Sequence, residues 1–175
     1  MGRFHKKKGI NELIKAWEKI SDLECSRNWW LCFVGSGDLE IFKYKKFDNS
    51  NKRIHISKPA FDKEKEDILR SASAFILSSF SEGLPMAVLE AMSYGLPCLI
   101  SENCNLPEAL EKGAAIKTNP SINEIYESLK TLFKMDIENR KMMTNKAYKY
   151  ISENHNWDYI TSRMKELYRS IYKDG

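Results

Sequence analysis

Apolar positions along the chain fall into two alternating rhythms. Residues 10–20, INELIKAWEKI, place Ile10, Leu13, Ile14, Trp17 and Ile20 at spacings of three and four, on one face of a helix. Residues 29–35, WWLCFVG, form an unbroken aromatic and β-branched run that stops at GSGD, the pattern of a buried strand and a turn. The alternation continues with a short helix expected over about 39–46, a weak strand over RIHI (53–56) and a helix over 63–72. AFILSS (74–79) is a strong strand. Residues 85–94 read as a helix with Pro85 at its first position and Gly95 as its stop. PCLIS (97–101) is the next strand and AAIK (114–117) a minor one; the last third is helical over about 121–133, 137–152 and 157–172.

Near-continuously apolar strands alternating with helices mean a parallel sheet covered on both faces. The expected fold class is therefore α/β: a doubly wound, Rossmann-like parallel sheet with a helical C-terminal third, forming one domain over residues 1–175. A length of 175 residues supports one domain with a substantial core and is short for two. With 42% apolar and 30% charged residues, the chain is of the ordinary globular class, not the disordered one. The net charge of +4 is mild and does not choose between an anionic small ligand, a membrane surface and nucleic acid. The aromatics sit mostly at core spacing, which argues against a nucleic-acid binder. Trp17, Trp29 and Trp30 are expected to pack between sheet and helices, and His5 and His55 to lie at the surface. No run approaches the ~20 apolar residues that span a bilayer, and no secretory leader pattern is present. Of the cysteines, Cys32 and Cys98 lie in apolar runs and read as small core residues. No CxxC pair occurs, which points away from zinc and toward reduced thiols in a cytoplasm.

In parallel sheets of this kind, ligands bind outside the carboxyl ends of the strands. The loops after Val34, Ile56, Ser79 and Ser101 are therefore the candidates. Glu82 stands in the loop after strand 74–79. Gly83 allows close backbone approach. The N–H groups near 83–87 precede or open the next helix and lack helical partners, so they form a ready anion site at the positive end of its dipole. Glu90 lies further along that helix, near Met86 and Ala87, and leans back toward the same mouth. A carboxylate among buried neighbours is costly unless it finds donors. Two acceptors with free amides between them suit a sugar and a ribose joined by a diphosphate. The same spacing also fits Glu82 as a helix cap and Glu90 in an internal ion pair, and spacing alone leaves both readings standing.

The stretch SSFSEGLPMAVLEAMSYGLPCLIS resembles the donor-binding signature of the retaining GT-B glycosyltransferases (glycosyltransferase group 1, family four). That signature is a glutamate, seven residues and a second glutamate, matched by Glu82 and Glu90. Its EGLP form is common among enzymes that build bacterial capsule and lipopolysaccharide glycans. GRFHKKKG (2–9) is similar to the family's Gly-Arg, spacer, Lys-Gly loop, and VGSGD (34–38) to its second-strand turn. ENCNLPEAL (102–110) resembles the stretch after the fifth strand, and NHNWDYI (154–160) the closing pattern in which Trp157 begins the last helix.

The resemblance implies a donor-binding half of a nucleotide-sugar-dependent transferase, with a UDP- or GDP-linked sugar as substrate and a glycan or lipid-linked acceptor. By it, Arg3 and Lys8 hold the donor diphosphate, Arg3 as a bidentate fork and Lys8 as a point charge. Glu82 holds hydroxyls of the donor sugar and Glu90 the nucleotide ribose. The backbone around Gly83, Leu84, Pro85 and Met86 meets the sugar or the phosphates. The base rests near SKPA, at Lys58 and Ala60, although the family usually has a glycine near Lys58. Glu82, Arg3 and Lys8 make up the implied catalytic set. Neither glutamate is a general acid or base, and the acceptor attacks the face that the nucleotide leaves. No metal and no cofactor is implied, because Arg3, Lys8 and the helix N-terminus take the charge of the leaving diphosphate.

The chain departs from the family in one respect. Nothing in it corresponds to the acceptor-binding domain, and its first residues match the end of a strand that is central in a 3-2-1-4-5-6 order. The expectation is a sheet with its first strand apparently missing and edges left unpaired. An excised domain, a truncated or split gene product, and a chain completed by a separate N-terminal half all fit. Each predicts donor-site chemistry with little or no sugar transfer by the chain alone. The competing reading is a non-catalytic remnant or interaction module. The basic C-terminal segment also allows peripheral membrane association, though packing of the last helix on the sheet domain is the expectation.

Overall fold

The computed structural model describes residues 1–43 and 53–173. Its first half holds strands β1 (Gly2–Phe4), β2 (Leu31–Gly37) and β3 (Ile54–Ser57), with helices α1 (Ile10–Ile20), α2 (Glu40–Lys43) and α3 (Asp62–Ser71). Then come β4 (Phe75–Leu77), α4 (Met86–Ser93), β5 (Cys98–Ser101), α5 (Pro107–Glu111) and β6 (Ile116–Thr118). Helices α6 (Ile122–Lys134), α7 (Ile137–Asn154) and α8 (Trp157–Lys173) close the chain. The expected helix over 39–46 is present as α2; its final residues fall outside the described ones. Short α5 carried no periodic signal of its own.

All strand pairs are parallel, in the orders β1-β2-β3 and β4-β5-β6. This is the doubly wound α/β arrangement expected from the alternation, divided into two three-stranded sheets. Contrary to the expectation of a missing first strand, Gly2–Phe4 does form one, paired with Gly35–Gly37. The loops of the two sheets are joined by a backbone bond, Phe80 N–H to the Lys7 carbonyl at 2.7 Å.

Side chains tie the halves together. On one face, α1 and α6 bury Ile14, Trp17, Ile20, Ile125, Leu129 and Leu132 with Phe33 of β2 and Leu99 of β5. The predicted face of α1 is buried residue for residue, and each such side chain contributes about 1.5–3 kcal/mol. On the other face, α4 and α7 pack Val88, Met92, Ala147 and Tyr150 against Leu77, Cys98 and Ile100. Strand β5 thus sends alternate side chains to opposite layers, with all four of its residues buried. That explains why its sequence is uninterruptedly apolar.

Three expectations fail. Cys32 is exposed, because among the described residues no strand lies beside that part of β2 on one side. Trp17 is buried and Trp29 stacks on Phe133 at 4.6 Å, but Trp30 is 60% exposed. Helix α8 does not pack into the sheet domain. It touches α7 and leaves Trp157, Met164, Leu167, Tyr168 and Ile171 exposed. Among the described residues, no helix is long and apolar enough to cross a membrane.

Candidate functional site

The site grows from two backbone crossovers at the carboxyl ends of β1 and β4. After β1 the chain makes one 3-10 turn, Lys6–Lys8, in which His5 Nδ1 accepts from the Lys7 N–H at 3.1 Å. It then enters α1 through Gly9, whose φ is +65°. A Cβ there would lie 2.1 Å from the Ser78 carbonyl oxygen, so only glycine lets this turn press against the end of β4. Gly35 acts likewise on the neighbouring strand: a Cβ would stand 1.8 Å from the Gly2 carbonyl. The glycines of GSG therefore let β1 lie against β2.

The tight turn carries Lys8 to the loop after β4. Lys8 Nζ lies 2.6 Å from Glu82 Oε1, and Ser79 Oγ donates to the same oxygen at 2.5 Å. Residues far apart in sequence are brought together, and both side chains are largely shielded, at 29% and 11% exposure. A carboxylate so shielded is held by its cation and its hydroxyl donor. The Ser78 hydroxyl, also at the end of β4, is buried without a hydrogen-bond partner.

The Glu82 loop is clamped from the other side. Its N–H donates to the Asn103 carbonyl at 2.9 Å. Asn105, in the left-handed region with φ of +54°, reaches back with Nδ2 to the carbonyls of Glu82 and Gly83 at 2.6 and 3.1 Å. Asparagine tolerates that conformation better than most residues. The loop after β5 therefore sets the loop after β4, a link that motif spacing does not reveal.

Helix α4 starts one residue later than expected, with Pro85 as its cap residue and no side-chain cap bond. Glu82 is therefore not a helix cap. The Met86 N–H is taken by the Leu84 carbonyl at 2.9 Å, which removes one of the amides expected to be free. Gly83 faces open space, and Leu84 and Met86 are exposed beside it, at 56% and 57%. Pro85 is buried.

Glu90, half-buried on α4, pairs with Lys65 Nζ at 2.6 Å. The internal ion pair left open by the spacing is thus formed, and its partner was not singled out in the sequence. Lys65 lies on α3, one turn after Phe61, whose carbonyl accepts from the Lys65 N–H. The pair sets the loop holding exposed Lys58 and buried Ala60 beside α4. Phe61, 71% exposed on that loop, also went unnoticed. Arg3 stands apart: it is exposed on β1, and among the described residues no ion pair joins it to either glutamate.

One further charge lies near this cluster. Burial pushes the Met1 amine down to about 6, with the nearby Lys8 charge adding to the effect.

Such a combination defines a class: a doubly wound α/β domain with a cation and carboxylates gathered at the carboxyl ends of its strands. The chain belongs to the family Glycosyl transferases group 1, whose model matches residues 1–150. It is 31% identical over 141 residues to an uncharacterized glycosyltransferase of Haemophilus influenzae, covering 75% of this chain and 38% of that protein. It is 28% identical over 137 residues to the UDP-Gal:alpha-D-GlcNAc-diphosphoundecaprenol alpha-1,3-galactosyltransferase of Escherichia coli, covering 77% of this chain and 35% of the relative. The chain therefore spans well under half the length of these relatives. In fold it is similar to the C-terminal domain of a glycosyl transferase group 1 protein, LpcC, from Francisella tularensis. There the TM-score is 0.72 at 20% identity, over 90% of this chain and 84% of that one. It is also similar to sucrose-phosphate synthase of Thermosynechococcus elongatus, with a TM-score of 0.78 at 20% identity, over 99% of this chain and 45% of the other.

Proposed function

We propose that this chain is the donor-binding half of a retaining glycosyltransferase that uses a nucleotide sugar. The observation that carries the reading is the meeting of Lys8 and Glu82 beside the start of α4, with Glu90 further along that helix. Glu82 accepts hydroxyls of the donor sugar, and Lys8 turns from it toward the diphosphate. The exposed guanidinium of Arg3 and the free amides around Gly83 share the charge that grows on the leaving diphosphate. Glu90 accepts the ribose hydroxyls, with Lys65 as its partner when no ligand is bound. The base lies over Lys58 and Ala60, with Phe61 at its edge. These groups supply the charge compensation without a metal or cofactor. The names of the relatives support an acceptor of the lipid-linked or surface-glycan kind, and hence a role in bacterial polysaccharide synthesis at the cytoplasmic side of a membrane.

The acceptor and the remaining catalytic contacts belong to a second domain, so the chain alone binds donor and turns over little. Isothermal titration with UDP, GDP and their hexose conjugates tests the reading. Saturable heat with one nucleotide series, lost in Lys8→Met, is expected. Absence of heat with all of them at millimolar concentration favours the competing reading, a folded module whose Lys8–Glu82 and Lys65–Glu90 pairs serve structure alone.

A further inference from the structure

Strand β5 runs into a 3-10 turn, Glu102–Cys104, that ends at Asn105. The turn is tied down on both sides. Ser101 Oγ donates to the Ser79 carbonyl at 2.6 Å, and Glu102 pairs with Lys117 of β6 at 2.5 Å. The Asn105 N–H closes the turn on the Glu102 carbonyl at 3.4 Å. From this support, at φ +54° and ψ +36°, Asn105 Nδ2 reaches the carbonyls of Glu82 and Gly83.

Drawing two successive carbonyls to one side fixes the amides behind them. In a trans peptide the C=O of one residue and the N–H of the next point in opposite directions. Among the described residues no peptide bond is cis. The Gly83 and Leu84 N–H groups therefore point away from Asn105. Both residues are exposed, and a Cβ on Gly83 would meet nothing within 4 Å. The neighbouring donors are spent. Glu82 N–H is on the Asn103 carbonyl, and Pro85 has no N–H. Met86 N–H closes a tight turn on the Leu84 carbonyl, with Pro85 at φ −82° and ψ +73°. Among the described residues, the Gly83 and Leu84 N–H groups have no acceptor. Adjacent amides held outward in a turn make a nest for an anion.

We propose, on the donor-binding reading above, that Asn105 is a positioning residue that presents the Gly83 and Leu84 amides to the sugar-bearing phosphate of the donor. The two amides adjoin Glu82, which takes the sugar in that reading, so they meet the phosphate next to it. Without Asn105 the peptides on either side of Gly83 can turn over, because glycine accepts both signs of φ. A turned peptide aims a carbonyl oxygen at the phosphate. Asn105 thus selects an attractive face of the loop over a repulsive one, while touching only its backbone.

Asn105→Gly removes the amide, and glycine keeps the left-handed backbone without strain. Titration of the parent and the variant with UMP, UDP, GMP and GDP measures what the second phosphate adds in the series that binds. In the variant that gain is expected to fall about tenfold, with monophosphate affinity changed less than about twofold. In the 15N-labelled parent, the diphosphate should move the Gly83 and Leu84 amide protons downfield, and in Asn105→Gly it should not. An equal gain from the second phosphate in both proteins overturns the assignment. So does an equal fall in monophosphate and diphosphate affinity, which a merely structural residue would give, or unmoved amides in the saturated parent. No binding of any of the four nucleotides by the parent removes the donor-binding reading itself, and the assignment with it.

Discussion

Replacing Lys8 with methionine removes the cation from a shielded pair while keeping most of its packing. At 2.6 Å and an effective dielectric of about 20, the gross attraction is about 6 kcal/mol. Desolvation offsets much of that, and a hydrogen bond to a charged group nets about 1.5–3 kcal/mol. Glu82 is left with Ser79 as its donor, so the loss should fall inside that range. For a domain of this size it lowers Tm by about 3–10 °C. Glu82→Gln and the double variant complete a thermodynamic cycle by urea denaturation, in which the coupling should reach at least about 1 kcal/mol. Nucleotide titration separates the ligand role from the structural one. Losing a charge-assisted bond to phosphate weakens UDP or GDP by about 10–100-fold in Lys8→Met. Glu82→Gln frees Lys8 and should leave the bare nucleotide bound at least as tightly, while losing the preference for the sugar conjugate. Coupling below about 0.3 kcal/mol, or equal nucleotide affinity in Lys8→Met and the parent, would refute the reasoning.

Other outcomes follow from the same geometry. Gly9→Ala forces a Cβ to 2.1 Å from the Ser78 carbonyl at a φ of +65°; it should cost more than about 3 kcal/mol, read as loss of the cooperative melt or a large fall in Tm. The Lys65–Glu90 pair is about one-third exposed on each side, so Lys65→Met should change stability by less than about 1 kcal/mol, whereas Glu90→Gln should weaken nucleotide binding with little change in melting. The Met1 amine is lowered from 8.0 to about 6. A base whose folded pKa is depressed binds more protons unfolded, so stability rises with pH between about 6 and 8, by about 2–3 kcal/mol in all. Burial lowers His155 as well, which adds a slope of the same sign just below that window. N-terminal acetylation should abolish the part of the slope above pH 6.5, as followed by Tm across a buffer series.

The local rhythm of the chain determined most of its elements. Helical faces on α1 and α6, the apolar strands β2, β4 and β5, and the stop after α4 all arise from spacings of a few residues. Those are readable because a helix or strand imposes its period on its own segment. That a cation of the KKKG loop would share a crevice with Glu82 was implied only by the family resemblance; their direct pairing was not legible, since no strand was expected at Gly2–Phe4 to carry Lys8 there. Tertiary structure alone decided the rest. Lys65 reaches Glu90 across 25 positions and Asn105 clamps Glu82 across 23, separations that carry no periodic trace. The division of the sheet decided that Cys32 and Trp30, apolar in a strand-like run, would be exposed. Burial depends on what stands alongside a strand, and a segment's own residues do not encode its neighbour.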